Sequence, residues 1–145
     1  MTSVLKKADQ RLISVARDAS VLDAVRRMVE NRVGAILVLE GNRAHGVFTE
    51  RDLMAKVVLA GLDAGKTTVA SVMTSPVQTV DAESDAAEAL KKMMDGHFRH
   101  LPVTGNDGSV VGMLSIRHLM QDQIEELREE VGSLEAYMSF DGGGG

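Results

Sequence analysis

The sequence predicts an α/β (α+β) fold: two β-α-β-β-α repeats packed sheet to sheet with pseudo-two-fold symmetry, followed by a C-terminal helix. Three observations predict it. One stretch is written twice, because Ile13–Met28 aligns with Gln78–Met93 so that Val15 meets Val80, Ala24 meets Ala89 and Met28 meets Met93. Each copy then shows a helical apolar period followed by two short apolar runs around a turn. Beyond the second copy, apolar residues recur at alternating steps of four and three from Met120 to Met138.

Each unit opens with a short strand, Ile13–Ala16 and Val77–Val80. A helix follows, with Val21, Val25, Met28 and Val29 expected on the buried face of the first copy and Ala86, Leu90, Met93 and Met94 on that of the second. Ser20-x-x-Asp23 and Asp85-x-x-Glu88 are N-terminal signatures, since a side-chain oxygen there satisfies an unpaired first-turn amide. Ala35–Leu39 and Ala44–Phe48 form a hairpin around Gly41-Asn42, and His100–Thr104 and Val110–Leu114 form one around Asn106-Asp107-Gly108. Second helices are expected over Glu50–Ala60 and from Ile116 onward. A unit of roughly 60 residues buries little core alone, and two packed together bury more and leave clefts between them.

The expected organisation is an N-terminal segment 1–10, a first repeat 11–60, a linker 61–76, a second repeat 77–121, a C-terminal helix 122–140 and a disordered tail 141–145. The tail is four glycines after Asp141.

Composition narrows the function classes. The chain of 145 residues carries a net charge of −5, which argues against nucleic-acid binding. It has no cysteine, which excludes disulfides and thiolate metal sites. No apolar run approaches the ~18 residues a membrane span needs. The polar start, Met1–Gln10, does not resemble a signal peptide, and the expected location is the cytoplasm. Aromatics are 3% of residues, so the core is aliphatic, and the nine methionines fill gaps in it.

Four motifs stand in order within the duplicated unit: Gly46-Val-Phe-Thr49-Glu-Arg-Asp52, Val72-Met-Thr-Ser-Pro-Val77, Phe98-Arg-His-Leu-Pro-Val103 and Gly112-Met-Leu-Ser115. Together they resemble the cystathionine-β-synthase (CBS) domain family, over about Ile13 to Gln121. The resemblance implies a stand-alone tandem pair, a Bateman module without catalysis. Such pairs hold an adenine nucleotide between the repeats: AMP, ADP or ATP first, with NAD(H) or S-adenosylmethionine as alternatives. They dimerise, here into a homodimer, and regulate a partner protein that the sequence does not identify. A ligand-independent dimeric scaffold is the competing reading.

Residue chemistry is consistent with that implication. A carboxylate accepts strongly from two adjacent ribose hydroxyls, and amides at a helix start favour phosphate. Thr49-x-x-Asp52 is equally close to a capping box, and spacing alone leaves both roles open. The resemblance implies that Thr49 and Asp52 contact the ligand, with phosphate facing Arg99 and His100 from the second repeat. Arg51 and Arg117 add positive charge at the mouth, and Val47, Pro76 and Val77 line the adenine. The matching second cleft has Met113 and Ser115, with His118 at the Asp position and Gly34 and Ala35 at the basic positions. It is expected to be weaker, lacking both the ribose acceptor and the phosphate clamp.

Two patterns are decoys. Gly61-Leu-Asp-Ala-Gly65-Lys66-Thr67 is one residue short of a P-loop and follows a helix, so it reads as flexible linker. His97 and His100 sit three apart before and in a strand, where side chains point to opposite faces, so no metal site is expected. In the tail, Met120, Ile124, Leu127, Val131, Leu134 and Met138 form a seam of about two and a half heptads. It either covers the chain's own core or packs on a second subunit, and the family habit of pairing favours the second.

Overall fold

The computed structural model describes residues 3–143, with side chains through Met138. Two three-stranded mixed sheets repeat one topology. In the first, β1 (Ser14–Ala16) runs parallel to β2 (Ala35–Glu40), and β2 pairs antiparallel with β3 (Arg43–Thr49). In the second, β4 (Val80–Asp81), β5 (His100–Thr104) and β6 (Val110–Ser115) do the same. The registers coincide: Val38 faces Gly46 and Val103 faces Gly112, and each hairpin shifts register immediately after that pair.

Helix α1 is Val4–Lys7, α2 is Val21–Asn31, α3 is Glu50–Asp52, α4 is Val69–Val72, α5 is Ala86–Gly96 and α6 is Ile116–Gly143. A π-helical stretch, Leu53–Val58, continues α3. Ser20 caps α2 by accepting from the Asp23 amide at 3.0 Å, and Asp85 caps α5 by accepting from Ala87 at 3.2 Å. Both helices end on a left-handed residue, Arg32 and His97, whose amides reach back to the last carbonyls. The buried face of α2 is Val21, Ala24 and Met28, and that of α5 includes Ala89 and Met93. Val29 and Met94, expected on that face, are 71% and 55% exposed. They lie one residue, or 100° of helix, past the centre of the stripe.

The segment 61–76, expected as a flexible linker, is held down. The Val21 amide donates to the Thr67 carbonyl at 2.8 Å and Leu22 to Ala64 at 3.0 Å. Val69 and Val72 are buried in the first core with Ile36, Val38 and Phe48. The N-terminal residues are its counterpart on the other unit. Val4 is fully buried among Val80, Met93, Leu101 and Leu114. Asp9 bridges Met113 in both directions at 2.9 Å, as Thr74 bridges Val47 at 2.8 and 3.1 Å. Each sheet is therefore completed by the segment preceding its own unit's counterpart in sequence: α1 closes the second sheet and α4 the first.

This arrangement gives the glycines of the two Gly-apolar-apolar-Thr/Ser motifs a physical reason. A Cβ on Gly46 would collide with Met73 and lie 3.0 Å from the Thr74 carbonyl oxygen, and one on Gly112 would lie 3.0 Å from the Asp9 carbonyl oxygen. Absence of a side chain lets the bridging segment lie against the strand.

The second helix of the second unit and the expected C-terminal helix are one continuous element. The first turns bury Leu119, and the stripe beyond it does not cover the chain's own core: Ile124, Leu127, Val131, Leu134 and Met138 are 47–68% exposed. The tail expected to be unstructured from Asp141 is helical to Gly143, and residues 144 and 145 lie outside the described residues. No described helix is long and apolar enough to cross a membrane.

Candidate functional site

The two hairpins lie alongside each other. At one end, the Val110 amide donates to the Asn42 carbonyl at 2.9 Å and Arg43 Nη2 donates to the Asp107 carbonyl at 3.0 Å. At the other end, β2 begins opposite Thr49 and β5 begins opposite Ser115. There the starts of α3 and α6 are built alike, with Glu50 donating to the Gly34 carbonyl at 3.0 Å and Ile116 to the Arg99 carbonyl at 2.9 Å. Gly34 and Arg99 are thus equivalent, as are Glu50 and Ile116.

Thr49 and Asp52 sit at this end. The Asp52 amide donates to the Thr49 hydroxyl oxygen and the Thr49 amide donates to Asp52 Oδ2, both at 3.1 Å, which is a complete capping box. Asp52 is only 5% exposed and the only buried charged residue among the described residues. Its carboxylate is further engaged by the Thr74 hydroxyl, 3.1 Å from each oxygen, and by Lys56 Nζ, 2.9 Å from Oδ1. Sequence comparison missed Thr74 and Lys56 as neighbours of this group. Lys56 was legible as the i,i+4 partner of Asp52.

Of the residues expected to line the adenine, Val47 is buried and tied to Thr74 through both backbone groups, which carries the chain on to exposed Pro76 and half-buried Val77. Opposite, His100 is half-buried at the start of β5 and Arg99 is exposed just before it. Burial holds the His100 imidazole below its ordinary pKa, opposed by the nearby Glu50 carboxylate and reinforced by Arg99. Glu50, in the first unit, is thus near enough to act electrostatically on His100, in the second. Arg51 and Arg117 are exposed and, with Arg99, make no ion pair among the described residues.

At the matching second position, Met113 and Ser115 are half-buried on β6, and His118 is exposed with Nε2 3.4 Å from Asp122 Oδ2. Asp9 takes the backbone place against β6 that Thr74 takes against β3. Arg11 grips Asp9 at 2.7 Å through Nη2 and holds its carboxyl below the usual range.

Two broad open grooves mark the described surface, at equivalent places. One runs over Ser14, Asp23, Arg26 and Arg27, the other over Gln78, Glu88, Lys91 and Lys92. Neither includes Thr49, Asp52, Arg99 or His100. These grooves lie beside α2 and α5. No group of three metal-ligating side chains occurs among the described residues.

Comparison with known proteins agrees with the duplicated architecture. The CBS domain model matches residues 5–59 and 69–125, so its two matches begin within α1 and at α4. The chain is 34% identical over 143 residues to the mitochondrial CBS domain-containing protein CBSX3 of Arabidopsis thaliana, covering 95% of this chain and 69% of that protein. It spans only 16–24% of several longer curated relatives. A protein with CBS domains from Burkholderia ambifaria superposes with a TM-score of 0.79 at 32% identity, covering 86% of this chain and 95% of that one. The CBS domain protein PAE2072 from Pyrobaculum aerophilum, solved in complex with AMP, superposes with a TM-score of 0.74 at 26% identity, covering 81% of this chain and 89% of that one. A doubled sheet topology with shared register, and two family matches spanning it, make this chain a tandem member of the CBS domain family.

Proposed function

We propose that the chain is a cytoplasmic regulatory module that binds an adenine nucleotide between its two repeats and, as a homodimer, passes energy or redox state to a partner protein without catalysing a reaction. The observation that carries this reading is that the capped Thr49–Asp52 turn and the Arg99–His100 strand start stand at the like ends of two hairpins joined at their other ends by the Asn42–Val110 hydrogen bond, with Glu50 near enough to act on the charge of His100. A ribose acceptor and a phosphate donor set then belong to one site. AMP bound by the Pyrobaculum protein supports the ligand class.

Between the two strand starts the first site carries little net positive charge, with Arg51 and Arg117 out at its mouth. Burial favours neutral His100, Glu50 opposes an incoming phosphate, and Arg99 is the remaining cation of the pair. That balance suits a mononucleotide such as AMP better than ADP or ATP, and it leaves NAD(H) and S-adenosylmethionine as competitors. Ribose binding requires Asp52 to exchange a present partner for the sugar. Lys56, exposed and at the site's edge, is the partner that leaves most easily. In the second site Ser115, His118 and Asp9 stand without an Arg99 equivalent, since Gly34 takes that place, so one well-formed site per chain is expected.

The alternative is a ligand-independent dimeric scaffold. It is favoured by the saturation of Asp52, whose oxygens already serve Thr49, Thr74 and Lys56. A thermal-shift screen against AMP, ADP, ATP, NAD, NADH and S-adenosylmethionine separates the two. A ligand at 100 times its Kd stabilises by ~2.7 kcal/mol, which raises Tm by roughly 5–10 °C for a chain of this size. No shift with any of them, together with no excess absorbance at 260 nm in purified protein, leaves the scaffold reading standing.

A further inference from the structure

Beyond Leu119, where Lys7 of α1 still pairs with Asp122 and Glu126, helix α6 carries an apolar stripe that the described residues leave exposed. Helices in proteins draw most of their stability from packing an apolar face, and Gly132 weakens this one further, with open space around the position a Cβ would take. The stripe therefore calls for a partner. In heptad terms Ile124, Val131 and Met138 take a positions and Leu127 and Leu134 take d positions, which places Arg128 and Glu135 at e and Glu130 at g.

Charge selects the orientation. Between Gln121 and Met138 there are six carboxylates and a single cation, Arg128. A parallel pair sets Glu130 against Glu135 of the partner subunit and gives Arg128 only Gln123 of the partner subunit. One antiparallel register aligns every stripe residue, but it sets Arg128 against the partner's Arg128 and Glu130 against the partner's Glu130. It also runs the partner helix's end over Ser115, where α6 meets its own sheet. The other antiparallel register sets Val131 against the partner's Leu134 and Arg128 against the partner's Glu135, twice by symmetry. Its overlap runs from Asp122 to Gly143, which is the length of α6 lying beyond the buried Leu119.

We propose that α6 pairs with the α6 of a second copy as an antiparallel two-helix coil in this last register, with Arg128 and Glu135 as reciprocal partners. The proposal rests on the homodimer reading above and adds its orientation and contacts.

Sedimentation equilibrium of the full chain tests it, with wild type, Arg128→Glu, Glu135→Arg and the double exchange. Each single variant turns two attractions into two repulsions and weakens association by about tenfold, on the scale of exposed ion pairs. The double exchange restores it to within about threefold, which also shows that the single variants failed through charge and not through folding. A parallel coil gives a different result, because Glu135→Arg then relieves the Glu130 repulsion and tightens the dimer. Tightening, indifference to the single variants, or no restoration in the double overturns the antiparallel register while leaving a homodimer. A wild-type chain that stays monomeric at high micromolar concentration overturns both.

Discussion

The Thr74 hydroxyl lies 3.1 Å from both carboxylate oxygens of Asp52, joining the bridging segment of the first unit to the first turn of α3. Asp52 is thereby both a helix cap and the anchor of the segment that leads to Pro76 and Val77. Thr74→Val removes the hydroxyl and leaves a buried carboxylate short of one donor. The expected loss is about 1–3 kcal/mol of unfolding free energy, read as a lower urea midpoint with unchanged slope. A midpoint within error of wild type means that water or Lys56 replaces the hydroxyl without cost.

Asp52 itself has two measurable roles. Asp52→Ala removes the half of the capping box that accepts from the Thr49 amide and lowers stability by about 0.5–2 kcal/mol. As the ribose acceptor it also lowers AMP affinity roughly ten- to hundred-fold, the worth of hydrogen bonds to a charged group. Calorimetry on the folded variant separates the two. Lower stability with wild-type affinity leaves Asp52 as a cap alone.

Charge at the first site is tested by opposite changes on the two repeats. Arg99→Ala weakens AMP and leaves adenosine nearly unchanged, because it removes a phosphate contact only. Glu50→Gln strengthens ATP more than AMP, and AMP more than adenosine, by about fivefold per step for an exposed, screened charge. Binding of one AMP per chain is the expected stoichiometry. Two equivalent sites, or equal effects on AMP and adenosine, reassign the clefts.

His100 makes stability depend on pH. Burial lowers its folded pKa below the unfolded value of about 6.5, so between those two values the unfolded chain binds more protons. Its contribution is complete above about pH 6.5 and is lost as pH falls through that value toward the folded pKa. Stability at pH 5 is therefore lower than at pH 7. His100→Gln flattens this part of the profile, and a profile that keeps its slope in the variant assigns the titration to another group.

The exchanged segments give a fifth test. Val4→Ala and Val69→Ala each cost about 1–3 kcal/mol through a cavity in a dry core. Hydrogen exchange should speed up in β4–β6 for the first and in β1–β3 for the second. Loosening of β1–β3 by the Val4 substitution contradicts the packing of α1 on the second sheet.

The doubled unit was legible because period and turn chemistry are local properties. Ser20, Asp85 and the hairpin turns each act within a few residues, and the strands follow. Packing partners distant in sequence were not legible. Thr74 and Asp52 meet only because Gly46 lets a segment lie flat on β3, and Asp9 lies against β6 by the same device at Gly112. A seven-residue match between Ser3–Asp9 and Thr68–Thr74, which shares Val4 with Val69 but little else, carries too few identities to see beforehand. The exposure of Val29 and Met94 was equally hidden, since helical periodicity fixes the width of a stripe better than its centre.

The placement of α1 bears on how the protein is made. The pocket that receives Val4 is built from Val80, Met93, Leu101 and Leu114, all synthesised long after it. A chain emerging from the ribosome can finish its first sheet once Val72 is out, since α4 completes that core. Val4 and α1 must wait until β6 has appeared. The second sheet cannot close until α1 comes back to it, so a segment made before the whole first unit is among the last to find its place.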